Sequence, residues 1–226
     1  MSLHPRNSST NRFPIFQELN PDYNNHSLLD FGGNRGNLLH FSEGTIPSNR
    51  YTCVDVSSWS VFKGEEEFPD ANFIHYNRYN EMYNPSGNSS ESFPTVDQHD
   101  YVWAFSVFSH MKYEDILETL QWMRTINASR ILASYICNDG DENSRNLLEY
   151  FYQKRINEFG SSVDFRENDD SKFYVTDNQY GDFSGTKFIS VFNTESLKER
   201  LSYEGIVVNK ITSSLTAIPF LEISYV

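Results

Sequence analysis

The chain has 226 residues and a formal net charge of -13, with 31 acidic side chains against 18 basic ones. That length fits one domain with room for a sizeable core, and the charge argues against a dedicated nucleic-acid binder or docking on an anionic membrane, because either polyanion would be repelled over most of the surface. Hydrophobic residues at 38% and aromatics at 15% separate it from disordered chains.

Residues 1–25 are polar and interrupted by Pro5, Pro14 and Pro21, with one apolar patch at Phe13-Pro14-Ile15-Phe16. They read as an irregular arm or lid carrying one short helix. From about residue 26 short apolar runs alternate with stretches of helical periodicity, the pattern of a parallel sheet with crossover helices. The first run, 27–31, breaks at Gly32-Gly33, and a helix is expected from about Gly36 to a stop at Gly44. The second run is 51–56, after which Ser57 or Ser58 suits the N-cap of a short helix through Trp59, Val61 and Phe62. The third run, 72–76, follows a Pro69-Asp70 turn signal, and residues 84–99, rich in Gly, Pro and Ser, read as a loop.

The fourth run is 101–108. It precedes a helix from Lys112 to Thr125 in which Ile116, Leu120 and Met123 share one face. A fifth run covers 130–136, and a further helix fits Ser144 to Phe159. Residues 160–192 are polar and turn-rich but hold many aromatics, and are read as a substrate lid inserted in the domain. Thr194 suits the cap of a helix reaching Tyr203, and two closing runs, 206–211 and 220–226, flank a loop with Pro219. Strands alternating with helices, then a terminal strand pair, predict a doubly wound α/β domain over 26–226.

Two cysteines, Cys53 and Cys137, exclude a disulfide framework and a cysteine-based zinc cluster. Each sits beside an apolar run and reads as a small buried hydrophobe. No apolar stretch reaches the roughly 18 residues needed to span a bilayer, and no signal-type segment opens the chain. A cytoplasmic protein, monomeric or homodimeric, is the expectation. Acid runs such as Glu65-Glu66-Glu67 read as solvated faces, and no metal is expected.

The chemistry concentrates at the first strand and its turn, Leu28-Leu29-Asp30-Phe31-Gly32-Gly33-Asn34-Arg35-Gly36. Glycines there let the backbone turn sharply and let a ligand approach where a Cβ would collide. The dinucleotide fingerprint G-x-G-x-x-G is not met, and the absence of a Gly-Lys-Ser/Thr sequence excludes a P-loop. What remains is an acid, a glycine-rich turn, a helix, and a second acid, Asp55, ending the next strand. Asp55 follows Gly36 at the spacing expected of a carboxylate that accepts hydrogen bonds from a ribose diol. Seen alone, Asp30 would read as a turn residue and Asp55 as a helix cap.

At these residues the chain resembles the class I S-adenosylmethionine-dependent methyltransferases, whose turn reads D/E-x-G-x-G-x-G. Gly32 and Gly36 match the first and third glycines. Asn34 replaces the second, with Gly33 just before it, and asparagine is the non-glycine residue that best tolerates a left-handed backbone. The resemblance implies a seven-stranded, mostly parallel sheet of order 3-2-1-4-5-7-6 with the last strand antiparallel and helices on both faces. It also implies S-adenosyl-L-methionine as cofactor. Asp30, Gly32, Gly33, Asn34 and Gly36 would then surround its methionine portion, Asp55 would bind the ribose, Val56 would pack on the adenine, and Asn77 would reach the adenine amino group with Arg78 following it. Phe105 and Ser106 would contact the methionine end, and His110 would face the reaction cleft. A histidine suits removal of a proton from a nucleophile near neutral pH, although one at a helix start also serves as a local hydrogen-bonding group.

Methyl transfer to oxygen or nitrogen of a small molecule follows from the resemblance, the acceptor being recognised by the arm, the 84–99 loop and the 160–192 segment. The aromatics of 165–192 and the Phe13/Phe16 patch are candidates for a lid over a positive sulfonium. Two other readings stay open on the residues alone: a binding module without turnover, and a Rossmann-type oxidoreductase.

Overall fold

The computed structural model describes residues 11–80, 83–159, 163–167, 173–178 and 189–226. The helices are α1 (Phe13–Leu19), α2 (Asn37–Phe41), α3 (Ser58–Glu67), α4 (Tyr113–Ile126), α5 (Glu142–Phe159) and α6 (Thr194–Ser202). The strands are β1 (Leu28–Phe31), β2 (Tyr51–Asp55), β3 (Asn72–His75), β4 (Tyr101–Ala104), β5 (Arg130–Ser134), β6 (Val163–Glu167), β7 (Phe173–Asn178), β8 (Ile189–Phe192), β9 (Ile206–Ser213) and β10 (Thr216–Tyr225). Among the described residues no helix is long and apolar enough to cross a membrane.

Seven strands form one sheet of order β3-β2-β1-β4-β5-β10-β9. The first five pair in parallel, and β10 is antiparallel to both β5 and β9. The expected numbering 3-2-1-4-5-7-6 needs correction, because three strands intervene before the closing pair. These, β6, β7 and β8, make a second, antiparallel sheet within the segment read as a turn-rich lid. The sequence reading missed it because charged and polar side chains interrupt the runs of β6 and β7 and the surrounding residues are rich in turn formers.

Alternation along the strands explains the helices on both faces. Leu29, Val54, Val102, Ala133 and Leu221 pack with α4 and α6, while Leu28, Cys53, Trp103, Leu132 and Phe220 pack with α1 and α2. Phe16 of α1 is fully buried, edge-on to Trp103 at 5.2 Å. The apolar patch of the arm is therefore core, and its role as an aromatic lid is withdrawn. The 165–192 aromatics lie outside the residues whose side chains are described, save Phe192, which is buried in the core.

Several boundaries differ from the sequence reading, three of them for a local reason. The fourth strand ends at Ala104, because Ser106 is left-handed (φ 59°) and a 3₁₀ turn occupies Phe108–His110. Pro219 lies inside β10, where the pairing register with β9 shifts between Thr216 and Phe220; lacking an N–H, it is accommodated at that irregularity. Asn193, not Thr194, caps α6 by accepting the Ser196 N–H, since the Thr194 hydroxyl is engaged with Asp139 and Tyr135.

Candidate active site

A cavity of about 670 Å³ opens at the carboxyl ends of β1, β2 and β4, the crevice at which ligands bind in open α/β sheets. The turn after β1 forms its floor. Gly32 N–H donates to Val54 O at 2.8 Å, and Gly32, Asn34 and Gly36 have φ of 75°, 58° and 73°. Asparagine at position 34 thus occupies the left-handed region, and its own Oδ1 accepts the Arg35 N–H at 2.8 Å. At Gly32 a Cβ would stand 2.5 Å from Val107 Cγ2, and at Gly33 one would stand 2.6 Å from the Asp30 carboxyl. Neither position tolerates a side chain without movement of its neighbours.

Both acids lie at this turn and line the cavity. Asp55 Oδ2 accepts the Asn34 N–H and Oδ1 accepts the Ser57 N–H, each at 2.8 Å. The carboxylate therefore ties the glycine turn to the start of α3, which includes the capping role it would have alone. An ionised carboxylate has about four acceptor positions, so these bonds do not exhaust its capacity for a ligand. Burial pushes its pKa up, against the pull of the Ser57, Asn34 and Val56 N–H groups and of His75. Asp30 Oδ2 accepts the Tyr51 hydroxyl at 2.5 Å. Burial raises the Asp30 pKa to about 7, the Tyr51 bond opposes this, and the charge of Asp55 adds to it. Two buried carboxyls at adjacent strand ends favour a ligand carrying positive charge and hydroxyl donors.

The opposite wall follows β4. Phe105, Ser106, Val107 and His110 line the cavity, and the Ser106 N–H donates to Ser134 Oγ at 2.7 Å. A left-handed non-glycine residue costs about 1–2 kcal/mol, and such residues persist where surrounding contacts hold them. Val56 lines the adjoining wall, and Arg78 joins it, paired with Glu118 at 3.0 Å and donating to Glu91 O at 2.9 Å.

Two of the residues singled out from sequence stand apart from the cavity lining. Gly36 lies behind the turn, packed toward Phe73 and Phe68. Asn77 Oδ1 accepts the Asn84 amide N–H at 3.1 Å, and its carbonyl accepts the Asn88 N–H. Its side chain thus organises the segment after β3. That segment, read as a plain loop from residue 84, instead folds back through bridges between Arg78 and Asn88 and between Asn80 and Asn84. It brings Tyr76, Tyr79, Tyr83 and Phe93 to the cavity. Tyr76 stacks on Phe93 at 4.8 Å, and Phe93 stacks on Trp122 at the same distance.

Arg12 was not anticipated. Its guanidinium carbon sits 4.8 Å over the Phe105 ring on the cavity wall, and burial lowers its pKa. The one available signal was a basic residue directly before the apolar patch of the arm.

Residues 29–130 match the family model of a methyltransferase domain. Among solved structures, the chain is similar to the PH0226 protein from Pyrococcus horikoshii OT3 (TM-score 0.57, 12% identity, 99% of this chain and 92% of that one). It is similar also to the glycopeptide N-methyltransferase MtfA complexed with sinefungin (TM-score 0.60, 10% identity, 99% and 98%). The pyocyanin biosynthetic protein PhzM gives a TM-score of 0.62 at 14% identity, over 97% of this chain and 56% of that one. Likeness at such identities is likeness of fold. No curated protein sequence matches the chain.

Proposed function

We propose that the chain is a class I S-adenosylmethionine-dependent methyltransferase that methylates oxygen or nitrogen of a small-molecule acceptor held in the cavity at the strand ends, a reading supported by the methyltransferase-domain match over residues 29–130 and by the fold. The observation that carries this is the pairing of Asp30 and Asp55 across the left-handed turn through Gly32 and Asn34, in one cavity with Ser106 and His110. S-adenosylmethionine supplies a methyl carbon on a positively charged sulfur, which an incoming nucleophile must approach in line.

The residues present fit that group. Asp55 has acceptor capacity left for a ribose diol beyond its backbone bonds. Gly32 and Gly33 let Val107 and the Asp30 carboxyl pack directly on the turn, where a Cβ would collide with them, and so set the shape of the cavity floor. Asp30, with its pKa near 7, is held ionised when positive charge binds beside it, and so attracts a sulfonium or ammonium group. Val56 offers an apolar surface for a base, flanked by Arg78. Phe105 and Ser106 border the methionine end, and Arg12 above Phe105 supplies positive charge for an anionic group there. His110 is the candidate to accept the proton of a hydroxyl or amine nucleophile. Alignment of the acceptor by the cavity wall accounts for most of the expected rate, since proximity and orientation are the main requirements of this reaction.

A small acceptor is favoured by the aromatic-lined cavity and by a net charge of -13, which disfavours polyanions. The test is incubation with methyl-labelled S-adenosylmethionine and separate pools of small metabolites and nucleic acids. Label is expected in a metabolite and lost in Asp55→Ala. Label in nucleic acid alone would contradict the small-molecule assignment.

A further inference from the structure

We propose that Ser134, a residue outside the cavity, is a positioning residue that sets the shape of the cofactor end by holding Ser106 in its left-handed conformation. The inference rests on the methyltransferase reading of that cavity. Three observations carry it.

Ser106 is a serine at φ 59° with its side chain exposed toward the cavity, in a conformation an L residue disfavours. Ser134 is 1% exposed at the end of β5, and its hydroxyl accepts the Ser106 N–H at 2.7 Å. Among the described residues that is the only hydrogen bond its side chain makes. A buried hydroxyl is retained at a cost unless it is bonded, and here its bond reaches across from the neighbouring strand to the strained peptide. The third observation is the consequence: the turn at Ser106 delivers Val107 onto Gly32, close enough that a Cβ on Gly32 would meet Val107 Cγ2 at 2.5 Å. Ser134 thereby fixes Ser106, Ser106 aims Val107, and Val107 closes on the glycine turn.

If the hydroxyl acts through the backbone of Ser106, its importance should fall when position 106 is a residue to which the left-handed region is freely open. Glycine is that residue. The experiment is a double-mutant cycle of S134A and S106G, read by calorimetric titration with S-adenosylhomocysteine, with thermal melting to verify folding of all four proteins. S134A is expected to weaken binding about fivefold or more, the size of one lost hydrogen bond. The same change in the S106G background is expected to have less than half that effect on a logarithmic scale. Equal losses in both backgrounds, or no loss in either, would overturn the proposal, as would a loss fully accounted for by unfolding. Titration of the unsubstituted protein separates the two readings. Its failure to bind would remove the methyltransferase premise, whereas normal binding with an additive cycle would remove only the role of Ser134.

Discussion

Asp30 is the residue at which burial and electrostatics are most directly measurable. Its pKa rises from an ordinary 3.8 to about 7, chiefly by burial, with the Tyr51 hydroxyl opposing and Asp55 reinforcing the shift. A carboxyl raised in the folded state stabilises the fold fully below its unfolded pKa, and that contribution is lost as pH rises through the folded one. Asp30→Asn removes the titration while keeping an oxygen for Tyr51. Chemical denaturation across pH 4 to 8 should show the variant gaining on the wild type as pH rises, by up to about 1.4 kcal/mol per pH unit. A difference between the two proteins that stays flat from pH 4 to 8 would mean that Asp30 is ionised in the folded state throughout, and would contradict the raised pKa. The acid, the turn and Asp55 were legible in sequence through their spacing taken together with the resemblance of the whole motif, and both acids line one cavity. Asn77 was not, because only the folded segment after β3 shows that Asn84 occupies its amide oxygen. Nor was Arg12, whose place over Phe105 depends on how the arm packs.

Elements were legible where hydrophobic periodicity was strong. Helix α4 buries Ile116, Leu120 and Met123 as its spacing requires, and Ser57 caps α3 by accepting the Ser60 N–H at 3.2 Å. Periodicity failed for β6 to β8, and it overran at β4, where an apolar run continues through Phe108 although the backbone turns at Ser106. One helix yields a prediction against propensity. Alanine ordinarily stabilises a helix relative to glycine by about 1 kcal/mol. In α3, however, a Cβ at Gly64 would lie 2.1 Å from the Phe73 ring, which is buried between α3 and the sheet. Gly64→Ala should therefore destabilise the protein by about 1–3 kcal/mol through overpacking, measured by urea denaturation. A stabilised variant would show that Phe73 moves aside freely.

At the scale of the molecule, one sheet carries a core on each face and a cavity at the carboxyl ends of β1, β2 and β4. The C-terminal part of the chain is bound back to it: Lys210 of β9 pairs with Asp139 at 2.7 Å, and Asp139 accepts both the N–H and the hydroxyl of Thr194, so the end of β5, the start of α6 and the β9 edge meet at one carboxylate. The net charge of -13 acts over the whole surface, whereas the buried carboxyls Asp30 and Asp55 and the guanidinium of Arg12 act at the cavity, where the cofactor is chosen. On the proposed reading that choice rests most on Asp55. The direct measurement is calorimetric titration of the wild type and Asp55→Ala with S-adenosylhomocysteine, beside a reduced nicotinamide cofactor. The wild type should bind S-adenosylhomocysteine and not the nicotinamide, and loss of the charged hydrogen bonds should weaken binding in the variant by about 1.5–3 kcal/mol. Wild-type preference for the nicotinamide, or equal affinity of the two proteins for S-adenosylhomocysteine, would contradict it.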